Sequence, residues 1–171
     1  MHLTRTMPTD FLTLLRRDHS ELHDELTQLL DPSASPMEVR TALDGVRIGL
    51  VAHAEAEDII LGAFELLPAL EILIAQARAA HLIQEKALSA LVSARPQTSF
   101  WRDLAYQLRE LVAYHATQEE KYLLPALRYH VPEEHYRKLA GSFATQRLRQ
   151  FAMLQPSGLY DLPNLAEAHA S

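Results

Sequence analysis

The chain has 171 residues, a formal charge of −6, 48% hydrophobic and 22% charged residues, a composition that suits one folded domain rather than a disordered segment. It has no cysteine, which excludes disulfides, thiolate zinc sites, iron–sulfur clusters and cysteine nucleophiles. The acidic balance argues against nucleic acid as a partner, because phosphate has to be neutralised by basic surface.

A first helix is expected from about Pro8 to Leu30, after a short tail over residues 1–7. Its apolar stripe runs Leu12, Leu15, His19, Leu22, Leu26, Leu29, at spacings of three and four, so His19 falls on the inward face. The run Asp31-Pro-Ser-Ala-Ser-Pro36 ends it. A second helix is expected from Pro36 to Leu67, with Leu43, Val46, Leu50, His53, Glu57 and Phe64 on one side. Pro68 suits the first turn of a third, where a missing N–H does no harm. That helix should run to about Ala94 through Leu73, Ala77, His81, Gln84, Leu88 and Leu91.

After the joint Arg95-Pro-Gln-Thr98, a fourth helix carries Leu104, Leu108, Leu111, His115, Glu119 and Tyr122, and Pro125 should kink or end it. A fifth segment over residues 132–153 has a weaker pattern and is expected to pack outside or to mediate association, a homodimer for instance. Residues 154–171 read as an irregular tail. The locally basic stretch from Arg128 to Arg149 reads as a solvated helix face. The fold class is therefore all-α: an up-down-up-down antiparallel four-helix bundle over residues 8–131 with an additional C-terminal helix. The N-terminus lacks a secretory core, and the apolar run Ile59–Ile74 is interrupted by Glu65, Pro68 and Glu71, so no membrane is expected and a cytoplasmic location is.

An offset of 62 residues carries His19 onto His81, His53 onto His115, and Glu57 onto Glu119. Residues four apart share a side of a helix, so His53 with Glu57 and His115 with Glu119 each aim an imidazole and a carboxylate at one region. His19 and His81 add a nitrogen from each remaining helix. Burying such groups costs several kcal/mol per ion, and no Arg or Lys is expected beside them on the inner faces. A neutralised, proton-sharing cluster is one way to meet that cost, and two divalent or trivalent cations bridged by Glu57 and Glu119 meet it better. Imidazole with carboxylate suits iron, manganese or zinc and not calcium, and iron is favoured over zinc or manganese. No Glu-x-x-His occurs, which separates the chain from ferritin-like di-iron bundles. No G-x-S-x-G, H-E-x-x-H or phosphate-binding glycine loop offers other chemistry.

Asp18-His19, His53-Ala-Glu-Ala-Glu57, His81, and His115-Ala-Thr-Gln-Glu119-Glu120 with Leu123-Leu124-Pro125 together resemble the hemerythrin-like, or HHE cation-binding, family over residues 8–130. The resemblance implies an oxo- or hydroxo-bridged non-haem di-iron centre that binds dioxygen, reacts with peroxide or nitric oxide, or senses iron and oxygen. His19 and His53 would serve one iron, His81 and His115 the other, with Glu57 and Glu119 bridging. The chain departs from the oxygen carriers at Glu85, where they have a histidine, and in the placing of the last carboxylate, which their spacing would assign to Glu120. Peroxide reactivity or sensing is therefore expected ahead of oxygen carriage.

Glu85 and His23 occupy equivalent positions, and each reads either as a further ligand or as a partner that orients an imidazole. Asp58 and Glu120 read as orienting or exposed acids, Trp101 as a core aromatic, Tyr122 as a core aromatic or else a residue that hydrogen-bonds the site or ligates iron, and His2, His130, His135 and His169 as surface residues. Two functions fit: a redox enzyme of low specificity acting on a peroxide or diatomic ligand, or a non-catalytic module that senses or stores iron or oxygen.

Overall fold

A computed structural model describes residues 10–154, which are helical with no β-strand among them. Helix α1 spans Phe11–Leu29 and α2 spans Pro36–Leu61. Helix α3 spans Glu71–Ser93 and α4 spans Ser99–Gln118. A π turn over Glu119–Leu123 leads directly into α5, Leu124–His130, and α6 spans Glu133–Leu154. The expected tail at 1–7, the residues after 154, and His2 and His169 lie outside the described residues.

Polar residues in the joints set the helix ends. Asp31 accepts from the backbone N–H of Ser33 at 2.8 Å and from its hydroxyl at 2.6 Å, which turns the chain after α1. Ser35 and Glu38 then form a reciprocal capping box, with Pro36 in the first turn. Thr98 caps α4 by accepting from Trp101 N at 3.1 Å.

Two boundaries differ from the periodicity. Helix α2 stops at Leu61 rather than Leu67, tightening into a 3₁₀ turn over Gly62–Phe64, and α3 starts at Glu71 rather than Pro68. Pro68 cannot donate, so the turn around it closes instead through Leu70 N donating to Leu67 O at 2.8 Å. Helical backbone continues past Pro125. The widened turn before it, in which Leu124 N donates to Glu119 O, absorbs the crowded carbonyls, and helical structure continues to His130.

Helix α1 packs on α2 and α4, and α3 packs on α4 and α2. Gly49 allows the α1–α2 approach, since a Cβ there would lie 3.1 Å from Leu22 Cδ2. The apolar interior falls into two parts. One contains Leu15, Ile60, Leu70, Ala77, Leu123 and Phe143, and the other Leu22, Leu50, Leu88, Trp101, Leu108 and Val112. Along every helix the candidate ligands lie between these two parts. His19 falls between Leu15 and Leu22, His53 and Glu57 between Leu50 and Ile60, His81 between Ala77 and Leu88, and His115 and Glu119 between Val112 and Leu123.

Helix α6 is more deeply engaged than its weak pattern implies. It lies on α1 and α2 and buries Tyr136, Leu139, Ala140 and Phe143. The basic stretch is largely paired internally: Arg128 and Arg137 bond Glu133, and Lys138 bonds Glu134 at 3.0 Å. No helix among the described residues is long and apolar enough to cross a membrane.

Candidate metal centre

Five of the six expected donors carry at most 5% exposure: His53 1%, Glu57 0%, His81 5%, His115 4% and Glu119 2%; His19 stands at 6%. Their inward atoms converge. His53 Nε2 lies 3.2 Å and His81 Nε2 3.5 Å from Glu57 Oε2. His19 Nε2 lies 3.1 Å from Glu119 Oε2, and His115 Nε2 lies 3.1 Å from Glu119 Oε1. The two carboxylate oxygens of Glu119 thus face histidines on different helices. His81 and His115 bring their Nε2 atoms to 2.9 Å of one another.

These separations test the fit to a metal ion. Ligand atoms about 2.0–2.2 Å from one ion and at right angles to each other lie about 3 Å apart. The observed spread of 2.9–3.5 Å matches that spacing. Hydrogen bonding leaves the same atoms unsatisfied: His53 Nε2, both oxygens of Glu57 and Glu119 Oε1 are buried without a partner. Orphaned buried acceptors are costly, and a cation relieves all of them at once. His53, Glu57, His81 and His115 form one group able to hold an ion, and His19, His53 and Glu119 form a second. His53 belongs to both, so the geometry does not divide into the separate pairs that the resemblance implies.

Outward carboxylates behind three of the rings explain why those present Nε2 inward. Glu120 Oε1 lies 2.9 Å from His19 Nδ1, and Arg16 Nε donates to Glu120 Oε2 at 3.2 Å. Asp18 Oδ2 lies 2.7 Å from His53 Nδ1, and Asp18 Oδ1 pairs with Arg147 of α6. Asp58 Oδ1 lies 2.9 Å from His81 Nδ1. A carboxylate that accepts the Nδ1 proton fixes the tautomer and leaves Nε2 free to coordinate.

Electrostatics follow from this packing. Burial disfavours a charged His53, but Asp18 and Glu57 outweigh it and push its pKa up to about 9. His81 is raised in the same way, against burial, by Asp58 and Glu57. His115 has no such support: burial and the neighbouring imidazoles push it down to about 3. Burial, with the charge of His53, also lowers His19. Burial would raise Glu57, yet the imidazoles of His53 and His81 hold it well below the usual carboxylate range. Burial and the negative Glu57 hold Glu119 well above that range.

Other expected residues lie apart. Glu85 is exposed and belongs to neither group; the buried position on that turn of α3 is Gln84, at 2% exposure. The turn after His81 is rotated so that its third residue, not its fourth, points inward. His23, His130 and His135 are exposed. Tyr122 is 46% exposed beneath Lys121 rather than in the core, whereas Trp101 is buried. Glu119 is the buried acid of its pair, and Glu120 stands behind His19.

Asp18, named in the sequence only as part of the family-like motif and given no role, and Arg147 and Phe143, given none, all belong to the site. A basic residue does reach it: Arg147 pairs with Asp18, although the inner faces of the first four helices carry none. Phe143 packs edge-on against the His53 ring, centroids 6.0 Å apart. Asp18 has a legible signal, because Phe11, Leu15, Asp18, Leu22, Leu26 and Leu29 form a buried stripe in which it is the one acid. Comparison of the chain with protein-family models, curated proteins and solved structures finds no match.

Proposed function

We propose that this chain is a hemerythrin-like protein, an antiparallel up-down-up-down four-helix bundle with α6 added, that holds two non-haem iron ions and binds or reacts with peroxide, dioxygen or nitric oxide. The observation that carries this reading is the convergence of four imidazole Nε2 atoms and two carboxylates, with buried oxygens that no hydrogen bond satisfies. His19, His53, His81 and His115 would supply nitrogen to the irons, and Glu57 and Glu119 carboxylate oxygen. An iron pair in that position supplies Lewis acidity and reducing electrons to a small ligand.

The protein's own contribution is to hold and to shield. Asp18, Asp58 and Glu120 keep three imidazoles in one tautomer and orientation. Apolar layers on both sides limit the site to small molecules. Elemental analysis with a near-ultraviolet spectrum tests the reading: about two irons per chain with ferric charge-transfer absorption are expected, and both should vanish in the His53→Ala/His115→Ala double variant. Wild-type protein purified without chelator and free of transition metal would refute it.

One observation favours a second reading, a non-catalytic sensing or storage module. Arg147 and Phe143 tie α6 to His53, so occupancy of the site and docking of α6 are mechanically linked. Oxygen evolution from added peroxide, absent in the double variant, favours the enzyme; reversible oxygenation without turnover favours the module.

A further inference from the structure

The two halves related by the 62-residue offset are not alike behind their histidines. Three imidazoles have a carboxylate on Nδ1: Glu120 for His19, Asp18 for His53 and Asp58 for His81. Asp58 and Glu120 are themselves related by the offset, each serving a histidine on another helix. Asp18, which serves His53, maps onto Ala80. His115, the counterpart of His53, therefore has a methyl group where a carboxylate would stand. Its contacts with other ionisable side chains are through Nε2, to His81 and Glu119.

The space left by that missing acid is open. A cavity of about 240 Å³ between α3 and α4 is lined by Ala77, Ala80, Leu123, His115 and Glu119, with Gln76 among the side chains at its mouth. On the other half the equivalent groove is covered by α6, which supplies both Arg147 and Phe143. A cavity of about 150 Å³ is enough to hold benzene, so this one admits a benzene-sized body with a polar head.

We propose that this cavity binds a small organic monocarboxylate whose carboxylate accepts the Nδ1 proton of His115, doing from outside what Asp18 does for His53 within the chain. The inference rests on the metal-centre reading, in which Nε2 of His115 is committed to an ion and Nδ1 carries the proton. Gln76, Gln118, Tyr114 and Tyr122 offer amide and phenol donors for the second carboxylate oxygen, and Leu73, Ala77 and Leu123 receive the hydrocarbon body. Glu119 is the one acid in the lining, and metal ligation takes up its charge. The smaller cavity of about 130 Å³ between α2 and α3 does not compete: Asp58 already occupies the Nδ1 of the histidine it meets, and Glu55 and Glu85 make it acidic. A ligand so placed raises the basicity of the imidazole and thereby tunes the ion that His115 holds.

The test uses the cobalt(II)-loaded full chain, whose visible spectrum reports on the ligand field without turnover, and benzoate as the probe. Benzoate should bind and shift the spectrum, while benzamide, of the same shape and uncharged, should bind about tenfold or more weakly. Ala80→Asp should show the benzoate-type shift without any benzoate and should no longer bind it. Gln76→Trp, a change at the exposed rim that spares folding, should weaken benzoate about tenfold, and Ala54→Phe, in the other cavity, should leave it unchanged. Benzoate binding that survives both Ala80→Asp and Gln76→Trp, or that Ala54→Phe abolishes, overturns the proposal while leaving the metal centre standing. Failure of the wild type to retain cobalt overturns the metal-centre reading and this inference together.

Discussion

Asp18 shows how much of this site is built by residues outside the two candidate ligand groups. Its two oxygens are divided between His53 Nδ1 and Arg147, and it is 3% exposed, so its charge is balanced on one side and directed on the other. Asp18→Asn preserves shape while removing the charge that polarises the imidazole and answers the guanidinium. Metal affinity should fall about 10- to 100-fold, measured by competition with a chromogenic chelator. Unchanged affinity would mean that Asp18 serves packing alone. The pKa shifts give a second residue-level prediction. The unfolded value for His53 is 6.5 and the folded value about 9, so its proton stabilises the fold fully below 6.5, and that contribution is lost as pH rises through about 9. His81 acts in the same direction. Protein stripped of metal should therefore melt at progressively lower temperature across that window. Loaded protein should not, because an ion then replaces the proton. Parallel declines in the two forms would contradict the assignment of His53 as a ligand.

At the scale of the elements, the stripes of α1 to α4 were legible because each carries its candidate ligands in step with leucines, and the helical period brings them to one face. The His-x-x-x-Glu spacing on α2 and α4 needed no tertiary information. The π turn at Glu119–Leu123 was not legible, since its cause combines Pro125 with a packing demand that both Leu123 and Leu124 be buried. That turn also lets adjacent acids serve one imidazole, Glu119 at Nε2 and Glu120 at Nδ1 of His19. Helix α6 was underrated for a related reason. Its contribution rests on a few residues, Phe143 and Arg147 foremost, spaced along an otherwise polar helix. Phe143 is 0% exposed, and Phe143→Ala should cost about 3–5 kcal/mol and weaken metal retention through the His53 ring it packs on. Leu148, 68% exposed on the same helix, should change stability by no more than about 0.5 kcal/mol on conversion to alanine. Denaturant unfolding of both variants checks the contrast; equal effects would show that α6 is not part of the core.

For the molecule as a whole, two apolar cores enclose a polar layer that would be expensive without an occupant. The offset of 62 residues foretold which imidazoles and carboxylates meet in the interior, because matched positions on paired helices bring like side chains to the same depth. It could not foretell the difference between the halves. Behind the histidines that difference lies in Ala80 standing where the first half has Asp18, and in α6 lying over α1 and α2 with no counterpart over α3 and α4 among the described residues. Among the described residues, α6 therefore packs beside His53 on one half, while a cavity meets His115 on the other. Anomalous scattering at the iron edge, from crystals of protein purified without chelator, addresses the central proposition most directly. Two peaks enclosed by His19, His53, His81, His115, Glu57 and Glu119 are the predicted result. A featureless map there, with the imidazoles hydrogen-bonded only to one another and to water, would contradict it.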